Sequence, residues 1–345
     1  MRFSLKRMLV LAVAILLAVT AGAAAATNVG VIFATGGLGD RSFNDSGYAG
    51  VEMAADELGI TFDYVEPTEI AEYESQQRAF ASSGQYDLIV MLGFDQADAL
   101  QKVGAEFPEQ KFVLIDAVVD LPNVASITFK DNEKTFLIGA MAGLMNQESS
   151  LPKINVRRNI IGVVGGMDIP LIRAFVAGYT AGARFVNSDI QVLTNYVGAW
   201  NDPATAKEMA IAMYDRGANM VYQAAGGSGL GVFQAARDVD RYAIGTDAPQ
   251  AYLAPDHILV SAVRRLDNVV FQQIADLIDG NWQSGVFDLG LADDAVSYSF
   301  EGSNITVPDS IVDQVEALRE RVVSGELEIP RELETVDAFL AAHSE

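Results

Sequence analysis

The chain contains no cysteine and only two histidines in 345 residues. The absence of cysteine excludes disulfides, thiolate metal sites, a thiol nucleophile and an acylated N-terminal cysteine. His257 and His343 lie far apart and do not show the carboxylate spacing of a zinc site or a catalytic triad. No H-E-x-x-H, G-x-S-x-G or Walker A sequence occurs either. Enzyme chemistry and a metal or cofactor therefore have little support, although the many aspartates leave a glycosidase-like acid and base open.

Basic residues are also scarce, since 23 lysines and arginines stand against 46 aspartates and glutamates and give a formal net charge of −23. An acidic surface of this kind repels nucleic acid phosphates and anionic lipid headgroups, and it favours solubility. We therefore expect no nucleic acid partner.

The first 26 residues have the pattern of a secretory signal peptide. Three cations within the first seven residues precede an apolar run over 8–19, and small residues follow over 21–26. The run is shorter than the roughly 20 residues that a membrane span needs, although an uncleaved anchor is the alternative. No later stretch is long and apolar enough to span a membrane. We expect cleavage near Ala26 and a soluble protein exported to the periplasm.

From residue 28 onward, short apolar runs alternate with amphipathic segments. Nearly continuous apolar runs are typical of parallel strands that helices cover on both faces, and the alternation restarts near residue 160. The chain is also too long for one typical core. The pattern predicts an α/β fold of two doubly wound lobes. Strands are expected at 29–33, 61–65, 88–92, 112–116, 124–129, 160–165, 192–197, 220–223 and 242–245.

The segment after Asp247 carries too few elements for a third domain. A strand at 258–263, a helix at 266–278 and an extended segment at 289–300 are expected there. We predict that these elements cross back and forth between the lobes and form a multi-crossing hinge, with the ligand cleft between the lobes. The assignment is 27–130 with about 256–288 for the N-terminal lobe, and 131–255 with about 289–345 for the C-terminal lobe.

Two polar loops with one aromatic each follow strands in the two halves of the chain. They are Asp40-Arg41-Ser42-Phe43-Asn44-Asp45 and Trp200-Asn201-Asp202-Pro203. Asn and Asp are favoured helix N-caps and Pro suits a first helical turn, so helix capping with the aromatics in the core is one interpretation. Because ligands of open α/β sheets bind outside the carboxyl ends of the strands, the repetition favours a cleft with an aromatic on each wall.

Further polar candidates lie at strand ends. Asp116 and Asp247 each follow a predicted strand, where a carboxylate can cap a turn or accept hydrogen bonds from a vicinal diol. The glycine-rich turn at 226–231 does not match G-x-G-x-x-G, so close backbone approach to a ligand is favoured over a dinucleotide site. Of the adjacent Arg264 and Arg265, one can enter the cleft while the other faces solvent. Together these groups suit a flat ring joined to a sugar.

Several of these segments resemble the basic membrane protein family, substrate-binding proteins of ABC importers that are related to the purine nucleoside receptor of spirochaetes. The likeness covers nearly the whole chain after the leader. It rests on motifs that occur in the family's order, which are Gly36-Gly37-Leu38-Gly39-Asp40-Arg41-Ser42-Phe43-Asn44-Asp45, Asn201-Asp202-Pro203, Ala224-Ala225-Gly226-Gly227-Ser228-Gly229 and Gly245-Thr246-Asp247. The resemblance implies a type I periplasmic-binding-protein fold whose two lobes close on a nucleoside.

The resemblance also implies roles for seven residues. These are base stacking for Phe43 and Trp200, positions near the base for Asn44 and Asp116, and ribose contacts for Gly227, Asp247 and Arg264. Asp45, which closes the first motif, is the eighth ligand-binding candidate. The chain departs from the family pattern at three places. Ala34-Thr35 stands where an Asp is common, Trp200 where Phe is usual, and Arg264 where Lys is usual.

The implied function is a monomeric periplasmic receptor that binds a nucleoside, with purines favoured, and delivers it to an ABC permease in the membrane. The lipid-anchoring cysteine of the family is absent, which points to a freely diffusing protein. A receptor for another ring-bearing ligand such as riboflavin is an alternative. An exported nucleoside hydrolase that uses cleft carboxylates is another, and a ligand-sensing subunit of a membrane receptor is a third.

Overall fold

The computed structural model describes residues 26–343, and its strands form two six-stranded sheets. The strands are β1 (Asn28–Ile32), β2 (Thr61–Val65), β3 (Leu88–Leu92), β4 (Phe112–Ile115), β5 (Val124–Phe129), β6 (Ile160–Gly165), β7 (Gln191–Tyr196), β8 (Met220–Ala224), β9 (Tyr242–Asp247), β10 (Ile258–Arg264), β11 (Gly285–Leu289) and β12 (Val296–Ser299). The strand order is β11-β5-β4-β3-β1-β2 in the first sheet and β12-β10-β9-β8-β6-β7 in the second.

Helices alternate with the strands through both halves and then close the C-terminal part of the chain. They are α1 (Phe43–Leu58), α2 (Tyr73–Ser83), α3 (Ala97–Glu106), α4 (Asp131–Met145), α5 (Pro170–Val186), α6 (Pro203–Asp215), α7 (Leu230–Asp238), α8 (Leu266–Ile278), α9 (Asp309–Val323) and α10 (Leu333–His343).

Burial along the sheets follows the apolar content of the strands. Every residue of the central strands β3 and β4 is buried, whereas the edge strands β2 and β11 are largely exposed or half-buried. The order β7-β6-β8-β9-β10 repeats the order β2-β1-β3-β4-β5, and all neighbours within each set of five are parallel. The prediction of two doubly wound α/β units is confirmed, and the carboxyl ends of each set of strands form the usual place for a ligand.

Three chain segments pass between the two sheets, and they are hydrogen-bonded to one another. The first joins β5 to α4, the second joins β10 to α8, and the third joins β11 to β12. Lys130 N donates to Leu289 O at 2.8 Å, and Arg265 N donates to Ala295 O at 2.8 Å. Because each crossing is tied to the third, the connections between the sheets form one hydrogen-bonded unit.

The predicted boundary of the N-terminal lobe near residue 256 is wrong for β10. This strand pairs in parallel with β9 and antiparallel with β12, so it belongs to the second sheet. It follows β9 after a short connection and all its residues are buried, which explains its place beside the preceding strand. The rest of the range lies with the first half, because α8 packs on α1 and β11 pairs with β5.

The extended segment expected at 289–300 contains β12 and only the last residue of β11, a strand that was not predicted, and the two strands lie in different sheets. β11 ends at Leu289, and β12 begins at Val296 after a single helical turn over Leu291–Asp293. Gly290 allows this change of sheet because a Cβ there would lie 2.5 Å from Glu133 Oε2 and 2.8 Å from Lys130 Cδ. The sequence shows the apolar run but does not show the close contact that divides it.

Within residues 26–343, no helix has both the length and the apolar character needed to cross a membrane. The predicted signal peptide lies outside the described residues except for Ala26.

Candidate functional site

A cavity lies between the carboxyl ends of the two sets of strands and is lined by residues from both halves of the chain. It has about 660 Å³ of empty space, counting its open mouth. Seven of the eight candidates from the sequence line it, namely Phe43, Asn44, Asp116, Trp200, Gly227, Asp247 and Arg264. The fold therefore brings together residues that are separated by up to about 220 positions in the chain.

Asp45 is the candidate that does not line this cavity. Its Oδ1 accepts a hydrogen bond from Gly39 N at 2.7 Å, and its Oδ2 accepts one from Arg41 N at 3.0 Å. Arg41 has a φ of 54°, a left-handed conformation that non-glycine residues seldom adopt. The carboxylate of Asp45 thus holds the turn before α1 and faces the groove next to the cavity.

Asn44 lines the cavity, but its amide is already bonded to the loop after β1. Its Oδ1 accepts from Ala34 N at 3.1 Å, and its Nδ2 donates to Gly37 O at 3.0 Å. These bonds fix the loop that carries Ala34 and Thr35 into the cavity wall. Asn44 therefore positions the site through the backbone.

Asp40 also lines the cavity and was not selected by the sequence argument. Its carboxylate accepts three backbone hydrogen bonds, from Ser42 N at 2.8 Å, Asn44 N at 2.8 Å and Asp45 N at 3.2 Å. It satisfies N–H groups at the start of α1 that have no partner within the helix. Burial raises the pKa of Asp40 to about 6, against the lowering effect of these three N–H donors.

We expect the pH dependence of stability to change in Asp40→Asn. The pKa of Asp40 is raised from 3.8 to about 6, so the folded state favours the protonated acid. Its contribution to stability is complete below about pH 4 and is lost as the pH rises through about 6. One pKa unit corresponds to about 1.4 kcal/mol. As the pH rises from about 4 to above about 6, the free energy of unfolding of the wild type should therefore fall by up to about 3 kcal/mol relative to that of Asp40→Asn. Urea unfolding of both proteins at several pH values measures the difference.

A stability difference that stays constant with pH would contradict this expectation for Asp40. It would mean that the three backbone donors fully offset the burial of the charge.

Trp200 forms the opposite wall. Its ring lies against Gly166, where a Cβ would be 2.3 Å from Cζ3, so the close approach requires glycine. The other residues of its loop do not follow it into the cavity: Asn201 is exposed, and Asp202 caps α6 by accepting from Thr205 N at 3.0 Å. The interpretation that both halves supply an aromatic, an Asn and an Asp is therefore wrong for the second half, where helix capping explains the Asp.

A buried charge cluster lies at the deep end of the cavity. Arg264 donates from Nη1 to both oxygens of Asp116 at 3.0 and 2.8 Å, and from Nε and Nη2 to Asp131 at 2.8 and 2.9 Å. Its Nε lies 3.6 Å from Asp247 Oδ1. The side chain of the neighbouring Arg265 is 43% exposed and pairs with Asp267, so one arginine enters the cavity and the other reaches solvent.

Lys134 completes this cluster and is fully buried. Its Nζ lies 2.8 Å from Asp131 Oδ1, 3.7 Å from Asp247 Oδ1 and 4.6 Å from the ring centroid of Phe175. Burial lowers the pKa of Lys134, and Asp131 opposes that change. Burial also raises the pKa of Asp116, against the lowering effect of Arg264. Two cations and three carboxylates therefore share one water-poor region.

The two halves are in direct contact across the cavity. Ser42 Oγ donates to Asp247 Oδ2 at 2.7 Å, and Gln250 Nε2 donates to Arg41 O at 2.7 Å. The bonds from Arg264 on β10 to Asp116 after β4 likewise join the second half to the first. Loops on facing strand ends thus meet, as they do in a cleft that has closed.

The residues that the sequence argument missed fall into two groups. Asp95 follows β3 by a few positions and lines the cavity, so the rule that selected Asp116 and Asp247 could have found it. Asp131 and Lys134 begin a helix and are three residues apart, a pattern that usually marks a solvated face. No signal in the sequence distinguishes that face from a buried one.

The comparisons with known proteins agree with this geometry. A family model described as "ABC transporter substrate-binding protein PnrA-like" matches residues 26–332. The chain is 32% identical over 333 residues to an uncharacterized lipoprotein of Pyrococcus furiosus, which covers 89% of this chain and 82% of that one. It is also 32% identical over 327 residues to the ABC transporter nucleoside-binding protein BmpA of Lactococcus lactis subsp. cremoris, covering 85% and 86%.

Among solved structures, the chain is similar to an ABC transporter solute-binding protein of Aeropyrum pernix. The TM-score is 0.82 and the identity 30%, over 92% of this chain and 98% of that chain. These matches confirm the family resemblance and the binding-protein fold. Since the family model spans most of the sequence and the relatives follow it at 30–32% identity, the chain belongs to the Bmp family of ABC transporter substrate-binding proteins, extracellular proteins that bind a small molecule for delivery to a permease.

Proposed function

We propose that this protein is a monomeric periplasmic receptor that binds a nucleoside, with purine nucleosides favoured, and passes it to an ABC permease. The observation that carries the proposal is one cavity lined by Phe43 from the first half and Trp200 from the second. Aromatic rings are stacking surfaces for bases. The name of the Lactococcus relative, a nucleoside-binding protein, supports the same ligand class.

Asp247 is the group best placed to accept hydrogen bonds from a ribose. Its Oδ2 accepts from Ser42, whereas its Oδ1 has no hydrogen-bond partner within the described residues. Arg264 and Lys134 lie 3.6 and 3.7 Å from that oxygen and stabilise its negative charge. A ribose hydroxyl that donates to Oδ1 would complete its hydrogen bonding.

Arg264 and Asp116 are better suited to positioning than to direct ligand contact. Arg264 directs three of its nitrogens at Asp116 and Asp131, and both oxygens of Asp116 are occupied by that arginine. Gly227 contributes backbone and space, since a Cβ there would be 3.1 Å from Trp200 O and 3.7 Å from Asp40 Cβ. We therefore propose that Phe43, Trp200 and Asp247 contact the ligand directly. The ion pair of Arg264 and Asp116 supports the walls of the cavity.

Calorimetric titration with a panel of ligands tests the proposal. The panel contains purine and pyrimidine nucleosides, 2′,3′-dideoxyadenosine, riboflavin and simple sugars. We expect stoichiometric binding of purine nucleosides, weaker binding of the dideoxy analogue because it lacks the diol, and recovery of the nucleoside intact. Binding of sugars or riboflavin without any nucleoside would overturn the proposal, and release of free base would identify a hydrolase.

A further inference from the structure

Asp95 lies in the wall of the cavity and has no role in the function described so far. β3 ends at Leu92, and Asp95 follows within the single helical turn Phe94–Gln96 that leads into α3. Its side chain lines the same cavity as Phe43 and Trp200. It thus lies three residues beyond β3, at the same carboxyl edge of the sheet where Asp116 directly follows β4.

The carboxylate of Asp95 is only partly satisfied by the protein. Burial raises the pKa of Asp95 above its ordinary value, against the lowering effect of its own backbone N–H and of the nearby Tyr73 and Thr35 side chains. Thr35 N donates to Tyr73 Oη at 2.8 Å, which leaves the phenolic proton for the acid. Asp95 Oδ1, however, is buried and has no hydrogen-bond partner in the part of the chain that the structure describes.

An unpartnered carboxylate oxygen in a buried position is unfavourable, so native proteins rarely keep one without a reason. The other carboxylates of the cavity differ in this respect. Asp40 and Asp116 have hydrogen bonds to both oxygens, and the free oxygen of Asp247 has two cations within 3.7 Å. Asp95 Oδ1 has neither form of compensation.

Ala34, the residue of the neighbouring loop that lies near Oδ1, offers no donor to it. Asp95 Oδ1 and Ala34 Cβ each lie 3.0 Å from the point where a Gly93 Cβ would stand, so the two atoms are within about 6 Å of each other. Ala34 presents only a methyl group, and its backbone N–H is bonded to Asn44 Oδ1. A ligand in the cavity can therefore supply the donor that Oδ1 does not receive from the described residues.

We propose that Asp95 determines specificity by accepting a hydrogen bond from an N–H on the edge of the bound base. This inference rests on the proposed nucleoside function and deepens it. A carboxylate offers acceptors only, so it favours bases with an edge N–H donor, such as the amino group of adenosine or the ring N–H of inosine. Purine riboside has the same ring and sugar but no N–H on its base, and Asp95 discriminates against it.

The first test uses the wild-type protein alone. Titration calorimetry with adenosine, inosine and purine riboside should show that purine riboside binds at least about tenfold more weakly, as expected for loss of a hydrogen bond to a charged group. Equal affinity for the three ligands would overturn the inference while leaving the proposed function in place. Failure of every nucleoside to bind would overturn both.

The second test is Asp95→Ala with Asp98→Ala as its matched control. Asp98 is an exposed acid in the first turn of α3, so its removal changes the local charge equally without touching the cavity. In Asp95→Ala the affinity for adenosine should fall about tenfold or more, while that for purine riboside stays nearly constant, so the preference disappears. Asp98→Ala should keep the preference.

Thermal unfolding of the ligand-free variants separates recognition from folding. Asp95 Oδ1 has no hydrogen-bond partner in the free protein, so its removal should cost little stability. The unfolding temperature of Asp95→Ala should therefore lie within a few degrees of that of the wild type. An equal loss of affinity for adenosine and purine riboside in a folded Asp95→Ala would overturn the inference, because it would show that Asp95 supports the loop and does not read the base.

Discussion

Arg264→Ala is expected to lower the free energy of unfolding by about 3–5 kcal/mol, the range for removing one partner of a buried ionic group. Arg264 is 3% exposed and makes hydrogen bonds to Asp116 and Asp131. Without it, Asp116 loses the one cation that pairs with it among the described residues, and Lys134 is the cation that still lies near Asp131 and Asp247. Burial already raises the pKa of Asp116 against the lowering effect of Arg264, so in the variant Asp116 should take up a proton on folding.

Urea unfolding at neutral pH measures the change, and Arg265→Ala is the matched control. Arg265 is next in the chain but exposed and paired with Asp267, and exposed pairs are worth about 0–1 kcal/mol. Arg264→Lys should recover only part of the loss, because one ammonium group cannot reproduce the forked contacts with two carboxylates. If Arg264→Ala lost no more stability than Arg265→Ala, the charged groups of the cluster would have to be hydrated and to interact only weakly with one another.

The cluster also explains why two of its members could not be predicted from sequence. The strand-end rule finds Asp116 and Asp247 because it depends only on local order, an apolar run followed by an acid. Asp131 and Lys134 belong to the start of a helix, where such pairs are usually solvated. They are buried because α4 is covered by α5 and faces the end of β10, and these are contacts between segments more than about 30 positions apart.

The same distinction accounts for the other differences between prediction and structure. Apolar runs predicted the central strands of both sheets, since a covered parallel strand must be apolar throughout, whereas the exposed edge strand β11 was missed. The place of β10 in the second sheet depends on pairing with β9 and β12, which no run of residues encodes by itself. Asp202 is of a residue type that often binds ligands, but its carboxylate caps α6. Capping and ligand binding use the same residue types, and only the direction of the side chain separates them.

The double variant Phe43→Ala, Trp200→Ala is expected to lose roughly 2–6 kcal/mol of nucleoside affinity, from about 1–3 kcal/mol for each stacking ring. The two residues come from different halves, and they line one cavity. If a base lies between them, each single variant should weaken binding, and any departure of the double variant from the sum measures the coupling through the base that both rings contact. Titration calorimetry of the two single variants and the double variant measures these losses.

Tryptophan fluorescence provides an independent measurement of the contact between Trp200 and the ligand. The chain has two tryptophans, so their signals can be separated by substitution. Trp282 lies outside the cavity, so Trp282→Phe leaves Trp200 as the reporter of the site. Ligand should change the emission of Trp282→Phe but leave that of Trp200→Phe nearly unchanged, while Trp200→Phe keeps an aromatic ring and hence most of its affinity. If the double alanine variant bound a nucleoside within about threefold of the wild type, an effect below about 1 kcal/mol, base stacking in this cavity would be refuted.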